Sequence, residues 1–214
     1  MAKANFVPAA GRFGATALYD PIVALTMRER TFRRLLVEQV AADRPAAIVE
    51  IGCGTGSLTV ALARALPASL LIGIDLDPDA LARARVKNPS DSIEWVCAGA
   101  TELPIAEQSI DCVVCSLVLH HLTSSEKRTA LSEARRVLRD GGRLQIADWG
   151  KPQDALMNVA FFALRALDGF ARTAAHARGQ LPSMIEQAGF GEVRRRAALR
   201  TGWGTLELLS AVRA

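Results

Sequence analysis

A β-branched run at residues 46–51 passes directly into Gly52-Cys53-Gly54-Thr55-Gly56, and then into an apolar-periodic segment, 58–66, that Pro67 closes. No other stretch constrains the fold as much. Alternating glycines straight after a strand let the chain turn sharply and let its backbone approach a ligand that a side chain would hold off. Strand, glycine turn and helix set a beat that the chain keeps. Further strands are expected at 70–74, 93–97 and 110–116, with a helix at 78–86. Thr123-Ser124-Ser125-Glu126 has the pattern of a capping box and opens a helix to about Leu138. Gly141-Gly142 is expected to end that helix and turn the chain into a fifth strand, 143–147. Such alternation builds an α/β fold, a mostly parallel sheet with helices on both faces.

The flanks are organised differently. Residues 1–45 read as an N-terminal helical region, with Leu25, Phe32, Leu35, Leu36 and Val40 at helical spacing before Asp43-Arg44-Pro45 breaks the pattern. After the core at 46–150 comes an apolar helical insertion, 151–180, expected to act as a lid. A last helix and a C-terminal hairpin fill 181–214, the strands lying near 192–199 and 205–212. With 214 residues, half of them hydrophobic, the chain is expected to form a single domain over 1–214 with a sizeable buried core.

Charge and cysteines exclude more than they indicate. The formal charge is +4, but the arginines are scattered, and alternation along a strand would set Arg195 opposite Arg194 and Arg196. With one tyrosine and no basic strip interleaved with aromatics, no nucleic-acid partner is expected. Cys112 and Cys115 form a C-x-x-C within a strand, where residues three apart face opposite ways, roughly 10 Å apart, so neither a disulfide nor a metal site is expected. Cys97 reads as strand packing. No secretory leader and no apolar run of about 20 residues is visible, which predicts a cytoplasmic protein.

The glycine turn also restricts its ligand. The dinucleotide pattern G-x-G-x-x-G needs a glycine where Ser57 stands. An acid ahead of the turn, Glu50, suits a ligand carrying positive groups rather than phosphate. Asp75 ends the second strand about 20 residues later, where a carboxylate can accept bonds from two ribose hydroxyls. Asp77 and Asp79 flank the next helix start and read as cap and dipole acids.

Together these residues resemble the class I S-adenosylmethionine-dependent methyltransferases, in particular the ubiquinone and menaquinone biosynthesis methyltransferases. The resemblance covers roughly residues 46–149. It is carried by Val49 to Gly56, Gly73-Ile74-Asp75, Leu103-Pro104 with Ser109-Ile110-Asp111, Leu119-His120-His121-Leu122, and Arg136 to Arg143. It implies a Rossmann-like sheet of seven strands with an antiparallel last strand, and S-adenosyl-L-methionine as cofactor across the carboxyl ends of the first strands. The residues expected to line the cofactor are Glu50, Gly52, Cys53, Gly54, Gly56, Asp75, Leu76, Gly99, Ala100, Thr101 and Ser116. Tyr19 and Arg28 are expected over its methionine end. Many relatives carry an acid where this chain has Gly99, so adenine must rely on backbone groups, on Thr101 or on Glu102.

On the acceptor side, His120 and His121 are the candidate bases, just past the fourth strand. Asp148, Trp149, Phe161, Phe162, Asp168, Arg172 and His176 are candidate acceptor contacts. The nucleic-acid motif Asp/Asn-Pro-Pro-Tyr/Phe is replaced by Ser116-Leu117-Val118-Leu119, which favours a small-molecule acceptor. The apolar insertion suits a hydrophobic one and allows transient contact with a membrane surface. Two alternatives stay open on these residues: a non-catalytic subunit that binds the cofactor, and a nucleotide-cofactor oxidoreductase. Oligomeric state is not legible.

Overall fold

The structure, a computed structural model, describes residues 28–89 and 92–214. Helix α1 (Glu29–Ala41) leads into the alternating core: β1 (Ala47–Ile51), α2 (Ser57–Ala65), β2 (Leu70–Asp75), α3 (Pro78–Lys87) and β3 (Ile93–Cys97). Next come β4 (Ile110–Ser116), a 3-10 turn (Leu119–His121), α4 (Ser124–Val137) and β5 (Leu138–Trp149). Two helices, α5 (Ala155–Asp168) and α6 (Phe170–Ala177), form the insertion. The chain ends with α7 (Leu181–Gln187) and the hairpin β6 (Phe190–Arg200) and β7 (Thr205–Arg213).

Among the described residues all strands join one seven-stranded sheet in the order β3-β2-β1-β4-β5-β7-β6. Neighbours from β3 to β5 run parallel, while β7 is antiparallel to both β5 and β6. Side-chain alternation divides the core between the two faces. Val49, Ile51, Val113, Cys115, Leu144 and Ile146 pack under α4 and α7. Ile48, Leu71, Cys112, Val114 and Ala147 pack under α1, α2 and α5. Cys112 and Cys115 thus lie in different layers, both as free thiols. Phe32, Leu36 and Val40 of α1 are fully covered, each burial contributing about 1.5–3 kcal/mol.

Local chemistry places the helix starts. Asp77 accepts from the amides of Asp79 and Ala80 with Pro78 in the first turn, and Thr123 and Glu126 close the capping box reciprocally.

Three expectations need correction. Strand β5 begins at Leu138, without waiting for the glycines. Leu138 pairs with Ile110 and pairing resumes at Cys112 with Arg143, so residues 139–142 form a bulge that Gly141, at φ 74°, lets turn. Cys97 is exposed rather than packed. A bulge between Arg195 and Ala197 interrupts the alternation of β6. Arg194, Arg195 and Arg196 go to Glu192, Glu207 and Ser210 respectively, which makes no basic stripe. The insertion is two helices, broken at Gly169. Tyr19 lies outside the described residues.

The insertion bridges the carboxyl edge of the sheet. Phe161 and Leu164 of α5 join one face of the core and Ala175 of α6 joins the other.

Candidate active site

The glycine turn packs against its neighbours through its two outer glycines. Gly52, Gly54 and Gly56 all have positive φ, at 70°, 53° and 72°. A Cβ on Gly52 would fall 2.1 Å from Cγ2 of Val118, and one on Gly56 would fall 2.4 Å from Cη2 of Trp95. A Cβ on Gly54 would meet nothing within 4 Å. The outer glycines are therefore demanded by the protein's own packing, and the middle one presents bare backbone to open space. Trp95 also lies under Gly73, where a Cβ would come within 2.6 Å of its ring. The isolated glycine in β2 was the sequence signal for this wedge.

Asp75 anchors the turn. Its carboxylate accepts from the amide of Gly54 at 2.7 Å and from the amide of Asp77 at 2.9 Å. Glu50 is 2% exposed and accepts from the hydroxyl of Thr59 in α2. Burial raises its carboxyl to about 8, against the opposing pull of Thr59 and of Arg33. The α1 cation whose charge reaches this acid is thus Arg33. Arg28 is exposed at the start of α1 in a left-handed conformation, and among the described residues no side-chain hydrogen bond or ion pair ties it to the turn. Cys53 is buried and its amide joins that of Gly52 on the carbonyl of Ile74. Beside Asp75, exposed Leu76 borders Gly99, while Gly99, Ala100, Thr101 and Ser116 are half-buried.

A second cluster forms where β4 and β5 end. His120 is 4% exposed, and its Nδ1 lies 2.8 Å from Oδ1 of fully buried Asp148. The same carboxylate accepts the amides of Leu119 at 2.9 Å and Trp149 at 2.7 Å. Burial alone would raise Asp148, but His120, His176 and these hydrogen bonds outweigh it and hold its carboxyl well below the usual range. An ionised Asp148 makes Nδ1 of His120 the nitrogen that donates to it. The ring of His121 lies against that of His120, tilted by 44° with centroids 3.9 Å apart. Burial, then the neighbouring His120, pushes His121 down to about 3.

The insertion supplies the rest. Asp168, from the end of α5, brings Oδ2 to 3.8 Å from Nε2 of His120. His176, from α6, donates through Nδ1 to the carbonyl of Trp149 at 2.8 Å. Lys127 was missed in the sequence because it sits on an otherwise charged helix. It is fully buried, with Nζ on the carbonyls of Leu122 and Arg172, which ties the histidine turn to α6. Of the expected acceptor contacts, Trp149 and Phe161 are core residues and Phe162 is exposed, its ring tilted against that of Phe170. The two clusters meet at Val118, which packs on Gly52 and opens the turn that carries His120.

This sheet order, with an antiparallel β7 and an acid closing β2 against a glycine turn, defines the class I S-adenosylmethionine-dependent methyltransferase fold. Residues 48–142 match the family described as a methyltransferase domain. The malonyl-[acyl-carrier protein] O-methyltransferase of Methylococcus capsulatus is 30% identical over 207 residues, covering 94% of this chain and 73% of that protein. The ubiquinone/menaquinone biosynthesis C-methyltransferase UbiE of Hahella chejuensis is 31% identical over 137 residues, covering 62% and 54% of the two chains. The solved N-methyltransferase NodS of Bradyrhizobium japonicum, in complex with S-adenosyl-L-homocysteine, superposes with a TM-score of 0.66 at 22% identity, covering 86% and 87%. The chain belongs to the S-adenosylmethionine-dependent methyltransferases and is an enzyme of that family.

Proposed function

We propose that the enzyme methylates a small-molecule acceptor seated between the His120 turn and helices α5 and α6. The observation that carries this reading is the buried His120–Asp148 pair, on the turn whose leading residue, Val118, lies against Gly52. S-adenosylmethionine, when bound, supplies an electrophilic methyl group on a sulfonium. The residues present suit it: two acids beside a turn whose middle glycine faces open space favour a cationic ligand without phosphate. Asp75 would hold the ribose hydroxyls, Glu50 would offset the positive charge, and the backbone at Gly52, Cys53, Gly54 and Gly56 would allow close approach. Leu76, Gly99, Ala100, Thr101 and Ser116 would border the adenine end.

The chain's remaining work is orientation and exclusion of water, which can supply much of the rate of an in-line displacement. Helices α5 and α6 close the edge of the sheet, and the buried Lys127 holds α6 to the histidine turn. His120 is the polar anchor of the acceptor side, through which the acceptor's reacting atom is activated. The apolar character of α5 suits an acceptor with a hydrophobic body. The related enzymes act on oxygen in one case and carbon in another. Among the described residues no helix is long and apolar enough to cross a membrane.

The test is a panel of acceptors with labelled methyl donor, run beside calorimetry. Label on a small organic acceptor, lost in His120→Ala at unchanged donor affinity, supports the reading. Label confined to nucleic acid or protein refutes it. Asp75→Ala is expected to weaken donor binding by about 1.5–3 kcal/mol, the scale of a charged hydrogen-bonding group.

A further inference from the structure

We propose that His120, His121 and Asp168 form a site for a divalent transition-metal ion at the acceptor edge. Accepting this rests on the acceptor reading above and deepens it: the ion binds and orients an oxygen of the acceptor. One ligand atom from each residue lies within 4.8 Å of the others. Nε2 of His120 and Oδ2 of Asp168 are 3.8 Å apart, too far for a hydrogen bond. Two ligands about 2.0–2.1 Å from one zinc ion are separated by roughly 3.3 Å at a tetrahedral angle and more as the angle opens, so 3.8 Å fits a shared ion.

Of the three side chains only His120 is otherwise engaged, through Nδ1 on Asp148. Among the described residues, neither the ring of His121 nor the carboxylate of Asp168 takes part in a hydrogen bond. A half-buried carboxylate and two imidazoles thus converge, each offering one ligand atom. His120 is already oriented as metal-bound histidines are, with its far nitrogen donated to a carboxylate that is itself held by two backbone amides. Asp148 and Asp168 bring two carboxyl groups to the cluster, and burial works against the charge of Asp168. Arg172 bears on it in the opposite sense, while the ammonium of Lys127 is engaged by two carbonyls.

Two imidazoles and one carboxylate favour zinc, cobalt or nickel over magnesium or calcium. Three protein ligands also leave a fourth position open, as catalytic zinc sites do. That position would take the acceptor, which makes the acceptor class a small molecule with a hydroxyl, enol or carboxylate oxygen. Sequence spacing hides the site, because Asp168 arrives on the insertion far along the chain from the histidine pair.

The chelator-stripped full chain should be titrated with cobalt(II) and zinc(II), following cobalt absorption and the heat of zinc binding. One equivalent is expected to bind with a tetrahedral or five-coordinate cobalt spectrum. His121→Ala and Asp168→Asn should each weaken binding by at least about tenfold, and Asp148→Asn by about 10–100-fold. Melting curves and donor affinity, measured on the same variants, show that they are folded. Absence of one-equivalent binding, or equal binding by all variants, overturns the site. If no ion binds but His120→Ala still loses transfer to small molecules, the acceptor reading stands and the metal site falls. If the ion binds as expected and no small molecule is methylated, the site stands and the acceptor reading falls.

Discussion

Folding disfavours a charge on the buried Glu50, whereas the proposed donor site calls for one, and Glu50→Gln separates the two demands. The side chain is 2% exposed and has one hydroxyl donor, Thr59. Glutamine has the same shape, and its carbonyl oxygen can still accept from Thr59, so packing is preserved. The charge is what changes. Burial raises the carboxyl from 4.5 to about 8. Below pH 4.5 the folded and unfolded chains are both protonated here, and the acid is harmless. Between pH 4.5 and about 8 the folded chain keeps a proton that the unfolded chain has released, so stability falls as pH rises. Above about 8 the loss is complete. A shift of this size corresponds to about 4–5 kcal/mol. Relaxation and water entry around a buried charge reduce the realised effect to roughly 2–4 kcal/mol.

Glu50→Gln should therefore melt with its parent near pH 5 and above it by about 4–15 °C at pH 8.5, at roughly 2–4 °C per kcal/mol for a chain of this size. Thermal melts of the ligand-free protein across that range measure it. The same variant should bind S-adenosylmethionine or S-adenosylhomocysteine more weakly, by about 1.5–3 kcal/mol, because the ionised acid is wanted only when the cationic ligand is present. Gaining stability while losing affinity is the expected pattern where a strained charge serves binding. A variant that melts with the parent's pH slope, or below the parent at pH 8.5, would refute the argument from burial. Unchanged affinity would remove Glu50 from the donor site.

The other expectations follow from single contacts. Gly56→Ala drives a methyl into Trp95 and Ala84 at positive φ, and should destabilise by about 2–5 kcal/mol in denaturant melts. Gly54→Ala, with open space beside it, should lose only about 1–2 kcal/mol of stability while weakening donor binding measured by calorimetry. Lys127→Met leaves two buried carbonyls without their ammonium and should cost about 1–3 kcal/mol. Its turnover should fall further than its donor affinity, since the link it removes runs between the histidine turn and α6. In the native protein Cys97 should alkylate quickly and Cys53, Cys112 and Cys115 only on unfolding, because burial pushes the thiols of those three up. Peptide mapping after a short iodoacetamide pulse reads this directly.

The repeating core was legible because its signals are local. A glycine turn after a β-branched run, a capping box and a hairpin with two glycines each specify their geometry within a few residues, and the strands they delimit fell where expected. Cys112 and Cys115 landed in opposite layers because alternation along a strand is a rule of geometry. What failed depended on partners distant in sequence. The start of β5 at Leu138 is fixed by its pairing with Ile110, which overrides the helix pattern running up to it. The bulge at Arg196 answers to register against β7. Trp95 is needed under two glycines from other segments, and nothing in its own strand shows that.

The same distinction explains why the two halves of the site differ in how they could be read. The chain order reverses between β1 and β4, so the crevice at the carboxyl ends opens there, as in other open α/β sheets. On one side of that reversal, Glu50, the glycines and Asp75 come from two consecutive strands and their spacing is nearly fixed by the fold. On the other side, His120 and His121 follow β4, Asp148 ends β5, and Asp168 and His176 arrive on the insertion. Only the histidine pair and Asp148 lie on the repeating core, so the sequence could point to imidazoles but not to what completes them. Val118 joins the halves, since its side chain fills the space left by Gly52 while its backbone begins the histidine turn. A movement of the glycine turn on donor binding must therefore be felt by Val118, and through it by His120 and His121, the pair proposed to face the acceptor.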